Sequence, residues 1–189
     1  MIDGNVGPKK TVFKLVLLGD GGVGKTSIRR RYLGEGFSFE YMMTVGAEFA
    51  IKRFNNGIAV QIWDLAGQPR FDTVRKVYYQ GTSAAVLVYD ISREDTFYSI
   101  PNWITEVLNF RHSDKPLPLA LVANKSDLQS DGTCPFVDLE RGLEYAKDLS
   151  NWANMEVPFI ETSAKTGFNV DLMFDTIMEN INRAYNPIL

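Results

Sequence analysis

At 189 residues and 45% hydrophobic content, the chain can bury one sizeable core, and a second domain is not expected. Twenty Lys and Arg against 23 Asp and Glu leave a formal charge of -3, so no overall basic field invites nucleic acid. The lone cysteine, Cys134, excludes an internal disulfide or zinc cluster and fits a reducing, cytoplasmic setting.

Residues 1–10, with Gly4, Gly7, Pro8, Lys9 and Lys10, read as a flexible leader, and one domain is expected over 11–189. Val12 to Leu18 is too short for a signal peptide, and no apolar run spans a bilayer. Position 2 is Ile where myristoylation needs Gly, and the chain ends Asn186-Pro187-Ile188-Leu189 without a cysteine to prenylate, so no lipid anchor is expected.

The first strand, Val12 to Gly19, breaks into Gly19-Asp20-Gly21-Gly22-Val23-Gly24-Lys25-Thr26, and a helix follows from about Gly24 to Leu33. This is the G-x-x-x-x-G-K-[ST] phosphate loop in its strand-loop-helix context. Glycines let successive backbone N–H groups curve around an anion, and the helix that starts at Lys25-Thr26-Ser27 adds the positive end of its dipole. Lys25 can reach terminal phosphates, and the Thr26 hydroxyl can ligate Mg²⁺.

Gly34 to Gly46 has no clean period and is long enough to suggest a functional loop. Asn56-Gly57, between runs Ala47 to Phe54 and Ile58 to Asp64, predicts an antiparallel hairpin because both turn positions favour positive φ. The hairpin ends in Trp63-Asp64-Leu65-Ala66-Gly67-Gln68. A carboxylate at that strand end suits a Mg²⁺ shell, Gly67 lets a backbone N–H approach a phosphate, and Gln68 offers the donor and acceptor that positioning a water requires.

A short helix is expected near Phe71 to Tyr79, then strand Ala84 to Asp90, helix Pro101 to Phe110 with Ser99 as its cap, and strand Leu117 to Asn124. Helix Val137 to Ala153, strand Val157 to Glu161 and helix Val170 to Tyr185 complete the chain. Strands alternating with helices imply an α/β fold with a mostly parallel sheet, covered by helices on both faces and binding ligands at the carboxyl ends of its strands. Two loops meet there: Asn124-Lys125-Ser126-Asp127 and Ser163-Ala164-Lys165. Guanine presents N1–H and an amino group on one edge, which the Asp127 carboxylate can accept side by side; adenine lacks that pair and would leave the carboxylate unpaired. Arg29-Arg30-Arg31 and His112 read as solvated surface.

These three motifs, in this order between residue 12 and about 185, resemble the small GTPases of the Ras superfamily. Glu161-Thr162-Ser163-Ala164-Lys165, Trp63 before the Asp, and Tyr78-Tyr79-Gln80-Gly81 are most similar to the Rab branch. The resemblance implies a P-loop G domain whose six-stranded sheet has one antiparallel strand. It further implies that Gly21, Gly22, Val23, Gly24, Lys25, Thr26 and Ser27 hold phosphates, that Phe37 packs on guanine and that Tyr41 closes over the phosphates. Thr44 would bind Mg²⁺ and the γ-phosphate, and Gly67 would donate to that phosphate. Asn124 and Asp127 would read the base, Lys125 would lie against it, and the Ala164 N–H, between Ser163 and Lys165, would contact its oxygen. Phe49, Trp63 and Tyr78 match an aromatic trio sensed by effectors. Departures from a Rab include a shorter hairpin, Pro69 in place of an acidic residue, an expected insertion over Gln129 to Phe136, and the missing cysteine tail.

The expected activity is slow GTP hydrolysis to GDP and phosphate, with Gln68 holding the water and Mg²⁺ on Thr26, Thr44 and, through water, Asp64. Gly21 leaves room for Gln68, and no arginine finger in cis is assigned. Exchange factor, activating protein and effectors would bind through residues 37–49 and 63–79 of a monomer, at a membrane only if a lipidated tail belongs to a longer form. The alternatives are a GTP-bound scaffold without turnover, and a P-loop ATPase or small-molecule kinase, which Asp127 disfavours.

Overall fold

A computed structural model describes residues 11–38, 43–55, 57–131 and 137–185. The expected leader, Tyr41, Asn56, Cys134, most of the insertion and the last four residues lie outside the described residues.

Strands β1 (Thr11–Leu18), β2 (Ala47–Arg53), β3 (Ile58–Leu65), β4 (Ala84–Asp90), β5 (Leu119–Asn124) and β6 (Phe159–Thr162) form one sheet in the order β2-β3-β1-β4-β5-β6. Only β2 runs antiparallel to its neighbour. The helices are α1 (Lys25–Tyr32), α2 (Asp72–Lys76), α3 (Glu94–Tyr98), α4 (Ile100–Phe110), α5 (Leu139–Ala153) and α6 (Val170–Tyr185).

Period-two alternation explains how β4, buried at every position, serves two cores. Ala85, Leu87 and Tyr89 pack with Trp103, Val107 and Leu149 on one face, whereas Ala84, Val86 and Val88 pack with Ile28, Phe174 and Ile177 on the other. Thus α4 and α5 cover one side and α1 and α6 the other, as the alternating pattern implies. Burying both faces leaves only the strands' carboxyl ends for a ligand site between loops.

Several boundaries differ from expectation for local reasons. Strands β5 and β6 start after Pro118 and Pro158, which have no N–H to donate but whose carbonyls accept from Ala85 and Leu121 at 3.0 and 2.9 Å. Helix α5 starts one residue after Asp138, whose side chain accepts from the Glu140 N–H at 3.0 Å. Ser99 does not cap α4: its backbone is itself helical, so α3 runs into α4 through it, and its hydroxyl donates to the Asp95 carbonyl at 3.0 Å. The helix expected near Phe71 to Tyr79 is α2 flanked by two 3₁₀ turns.

The β2–β3 hairpin turns back through Gly57, at φ 83°, whose N–H donates to the Phe54 carbonyl. At its open end, the loop entering β2 and the loop leaving β3 are joined by the Ala66 N–H donating to the Gly46 carbonyl at 2.9 Å.

Candidate functional site

A single cleft at the carboxyl ends of β1, β3, β5 and β6 gathers Gly21, Gly22, Gly24, Lys25, Thr26, Ser27, Phe37, Thr44, Gly67, Gln68, Asn124, Lys125, Asp127, Ala164 and Lys165. Three residues named from sequence stand behind its wall. Val23 turns its side chain into the core, Ser163 backs Asp127, and Asp64 lies fully buried beneath Thr26 and Thr44.

The phosphate loop is shaped by close approach. Gly24, at φ 103°, leaves no room for a Cβ, which would lie 2.2 Å from the Asn124 side-chain nitrogen. Gly67 sits so near the loop backbone that a Cβ would lie 2.4 Å from the Gly19 oxygen and the Asp20 carbonyl carbon. The Gly67 backbone is therefore held against the residues expected to cradle phosphate. At Gly21 a Cβ would crowd Gln68 Cγ at 3.2 Å.

Lys25 lies 6% exposed, and its ammonium donates to the carbonyls of Gly19 at 2.7 Å and Asp20 at 2.9 Å. Burial lowers its pKa to about 8, against the opposing pull of Asp64 and Asp20. A buried cation with two carbonyls and, among the described residues, no direct carboxylate partner is well suited to an incoming polyanion.

Below Lys25 one carboxylate and two hydroxyls meet. Thr26 Oγ1 donates to Asp64 Oδ2 at 2.5 Å, Thr44 Oγ1 donates to the same oxygen at 3.3 Å, and the two hydroxyls are 3.0 Å apart. Asp64 Oδ1 is buried with no hydrogen-bond partner, and burial raises the carboxyl pKa. An orphaned carboxylate oxygen beside two hydroxyls fits Mg²⁺, which takes oxygen ligands and keeps several of its waters.

The base end is organised by Asn124. Its amide Nδ2 donates to the Val23 carbonyl at 2.8 Å, and its Oδ1 accepts from Thr162 Oγ1 at 3.0 Å and from the Ala164 N–H at 3.2 Å. One buried amide therefore joins β5 to the phosphate loop and to the loop after β6. The Ala164 N–H, expected to meet the base, is directed at Asn124 here. Asp127 accepts from Ser163 Oγ at 2.6 Å and lies 3.6 Å from the Lys165 ammonium. Lys125, at φ 72°, pairs with Asp90 at 2.6 Å. Burial opposes ionisation of Asp90, but Lys125 and Ser92 outweigh it and hold its pKa below the usual value.

The arginine run is corrected: none of the three is simply solvated. Arg29 is buried and pairs with Glu48 at 2.7 Å, and Arg30 lines the cleft. Arg31 Nε donates to the Ala164 carbonyl at 3.1 Å, and its Nη2 donates to the Lys165 carbonyl. Helical spacing spreads three consecutive residues over most of the circumference, which a charge run hides. The sequence also hid Trp103, whose Nε1 donates to Asp20 Oδ1 at 2.8 Å, and Arg93, whose Nη2 donates to the Gly21 carbonyl at 2.9 Å. The expected aromatic trio is formed: Phe49 stacks on Trp63 at 4.6 Å between centroids, and Tyr78 follows at 5.5 Å.

The family model described as "Ras family" matches residues 14–183, which takes in every motif gathered in the cleft. The chain belongs to the Ras family. Within that family it is similar to proteins named for the Rab group. It is 37% identical over 178 residues to the Ras-related protein RABA4b of Arabidopsis thaliana, covering 93% of this chain and 75% of that one. It is 33% identical to Rab-32A of Dictyostelium discoideum, over 96% of this chain and 85% of the relative, and 36% identical to Rab-3 of Caenorhabditis elegans, over 90% and 74%. Membership makes the protein a Rab-like small GTPase, for which guanine nucleotide, Mg²⁺, regulators and effectors are the general expectation. No helix among the described residues is long and apolar enough to cross a membrane.

Proposed function

We propose that the protein is a Mg²⁺-dependent molecular switch that binds GTP and GDP, hydrolyses GTP slowly, and signals by binding other proteins through residues 37–49 and 63–79. The observation that carries this reading is the convergence of Lys25, Thr26, Thr44, Asp64, Gly67 and Gln68 at one end of a cleft whose other end presents Asp127. The triphosphate would lie along the loop amides of Gly21 to Ser27 with Lys25 against its terminal phosphates, and the guanine edge would meet Asp127. Thr26, Thr44 and Asp64 would hold the metal, which when bound supplies positive charge to the phosphate oxygens.

Hydrolysis needs no protein nucleophile. Gln68 holds a water in line with the γ-phosphate, its amide able to accept from the water and donate to an oxygen at once. Lys25 and the loop amides stabilise the charge that develops on the transferred group. Thr44 and the Gly67 N–H can hold the γ-phosphate only while it exists, so their loops relax after hydrolysis. Val45, 71% exposed, Phe49, 52%, and Val77, 68%, give those same segments an apolar surface that suits a protein partner. The leader and one G domain over 11–189, a monomeric state, a cytoplasmic location, and peripheral membrane binding of any lipidated form belong to the same reading.

The presence of Gln68 and Thr44 in the cleft favours turnover over an inert scaffold. Single-turnover phosphate release is expected on the order of 10⁻³ per second or slower without a partner, the range of Ras-type enzymes lacking an arginine in cis. Seconds-scale release would contradict this. GTP should outcompete ATP, and Asp127→Ala should erode that preference by roughly 100-fold or more; equal competition by ATP in the unaltered protein would overturn the reading.

A further inference from the structure

Arg75 is a buried cation that no part of the cleft chemistry uses. Its guanidinium, on α2, is 2% exposed, and each of its five N–H groups has an acceptor. Nη1 donates to the Ala66 carbonyl at 2.8 Å and to the Gln68 carbonyl at 3.4 Å. Nε and Nη2 grip both oxygens of Glu106 on α4 at 2.8 and 2.9 Å, and Nη2 also meets Asp72 at 2.5 Å. The guanidinium carbon lies over the ring of Trp103, 4.4 Å from its centroid, and Trp103 is the residue that donates to Asp20 in the phosphate loop.

The choice of acceptors is informative. The two carbonyls belong to the residues on either side of Gly67, so the fork fixes the backbone from which both the Gly67 N–H and the Gln68 side chain project. The opposite end of the fork is anchored on α4, itself tied to the phosphate loop through Trp103. A planar, fully satisfied guanidinium resists the small displacements that a single flexible contact would allow. Space around Gln68 is short, since even a Cβ on Gly21 would press on it at 3.2 Å.

We propose that Arg75 is a positioning residue for hydrolysis: by clamping the Ala66 and Gln68 carbonyls to Glu106, it aims the Gln68 side chain at the attacking water. Nucleotide retention does not depend on it, because the phosphate loop and the base loops make no bond to it. This inference rests on the proposed reading of Gln68 and extends it to a residue outside the cleft.

The test is a double-mutant cycle on the full chain, with single-turnover GTP hydrolysis and release of a fluorescent GDP analogue measured for each variant. Arg75→Ala should slow hydrolysis by about 10- to 30-fold, as small misplacements of catalytic groups do. Arg75→Lys, which keeps the charge but loses the fork, should recover only part of the rate, and GDP release should change by less than about twofold in both. In a Gln68→Ala background, Arg75→Ala should have no further effect, because it acts through the missing side chain. Should Arg75→Ala fail to fold, as read by circular dichroism, Glu106→Gln carries the same test, with a smaller loss of rate that likewise vanishes without Gln68; a folded Arg75→Ala that does not retain nucleotide would count against the proposal. Additive losses, or an Arg75→Ala rate within about twofold of the unaltered protein while Gln68→Ala is slow, would overturn the role of Arg75 and leave the GTPase reading intact. No hydrolysis by the unaltered protein, or none of it sensitive to Gln68, would overturn both.

Discussion

With its ammonium buried against two carbonyls, Lys25 has its pKa lowered by desolvation to about 8, whereas the unfolded chain titrates near the ordinary 10.5. Below about pH 8 both states hold the proton, and the buried charge costs stability by a constant amount. Between about 8 and 10.5 the unfolded chain binds more protons than the folded one, so this group makes the fold more stable as pH rises. A bound polyphosphate reverses the preference by giving the ammonium an anionic partner. Binding of GDP near pH 8.5 should therefore take up to about one proton, seen as a buffer-dependent enthalpy in calorimetry, and affinity should weaken as pH climbs past 8. An enthalpy that does not depend on the buffer would refute this account of Lys25.

At the scale of elements, β5 is joined to two loops by one side chain. Replacing Asn124 by Ala would strand the Val23 carbonyl, the Thr162 hydroxyl and the Ala164 N–H in a buried place. Each such loss costs about 1–3 kcal/mol, so GDP should leave about 10- to 100-fold faster and the fold should melt at lower denaturant. Release at the native rate would show that the loops hold their places without the amide. How this element works was only partly legible in the sequence. The strand and its Asn-Lys-x-Asp ending were readable because an apolar run stops at polar residues of distinct chemistry. The tie to Val23 was not, because it spans 101 positions of sequence and depends on Gly24 having no side chain. The same holds for Arg31: a charge on a helix reads as solvated until its tertiary partners, here the carbonyls of Ala164 and Lys165 in a distant loop, are known. By contrast, the positive φ at Gly57 and the six strands followed from local rules of φ and alternation. Helix α3 was missed because only five residues separate Arg93 from Ser99, too few to show a period.

For the whole molecule, the rigid part and the responsive part occupy different regions. The paired cores fill both faces of the sheet, while the segments proposed to sense the γ-phosphate lie around the open end of the β2–β3 hairpin. Amide exchange over 37–46 and 66–79 should slow when GDP is replaced by a non-hydrolysable GTP analogue, while β4 and β5 stay equally protected in both states. Equal exchange of the two segments in both states would remove the switch.

The bond from Ala66 to Gly46 gives the hairpin's two ends a common fate. Loss of the terminal phosphate at either end should slacken the other, since neither can drift without pulling on that bond. A protein seated along the outer edge of β2 would then meet both ends taut or both ends slack, never one of each for long. If the protein switches as proposed, such wiring would make an intermediate, half-loaded posture short-lived and the output correspondingly abrupt.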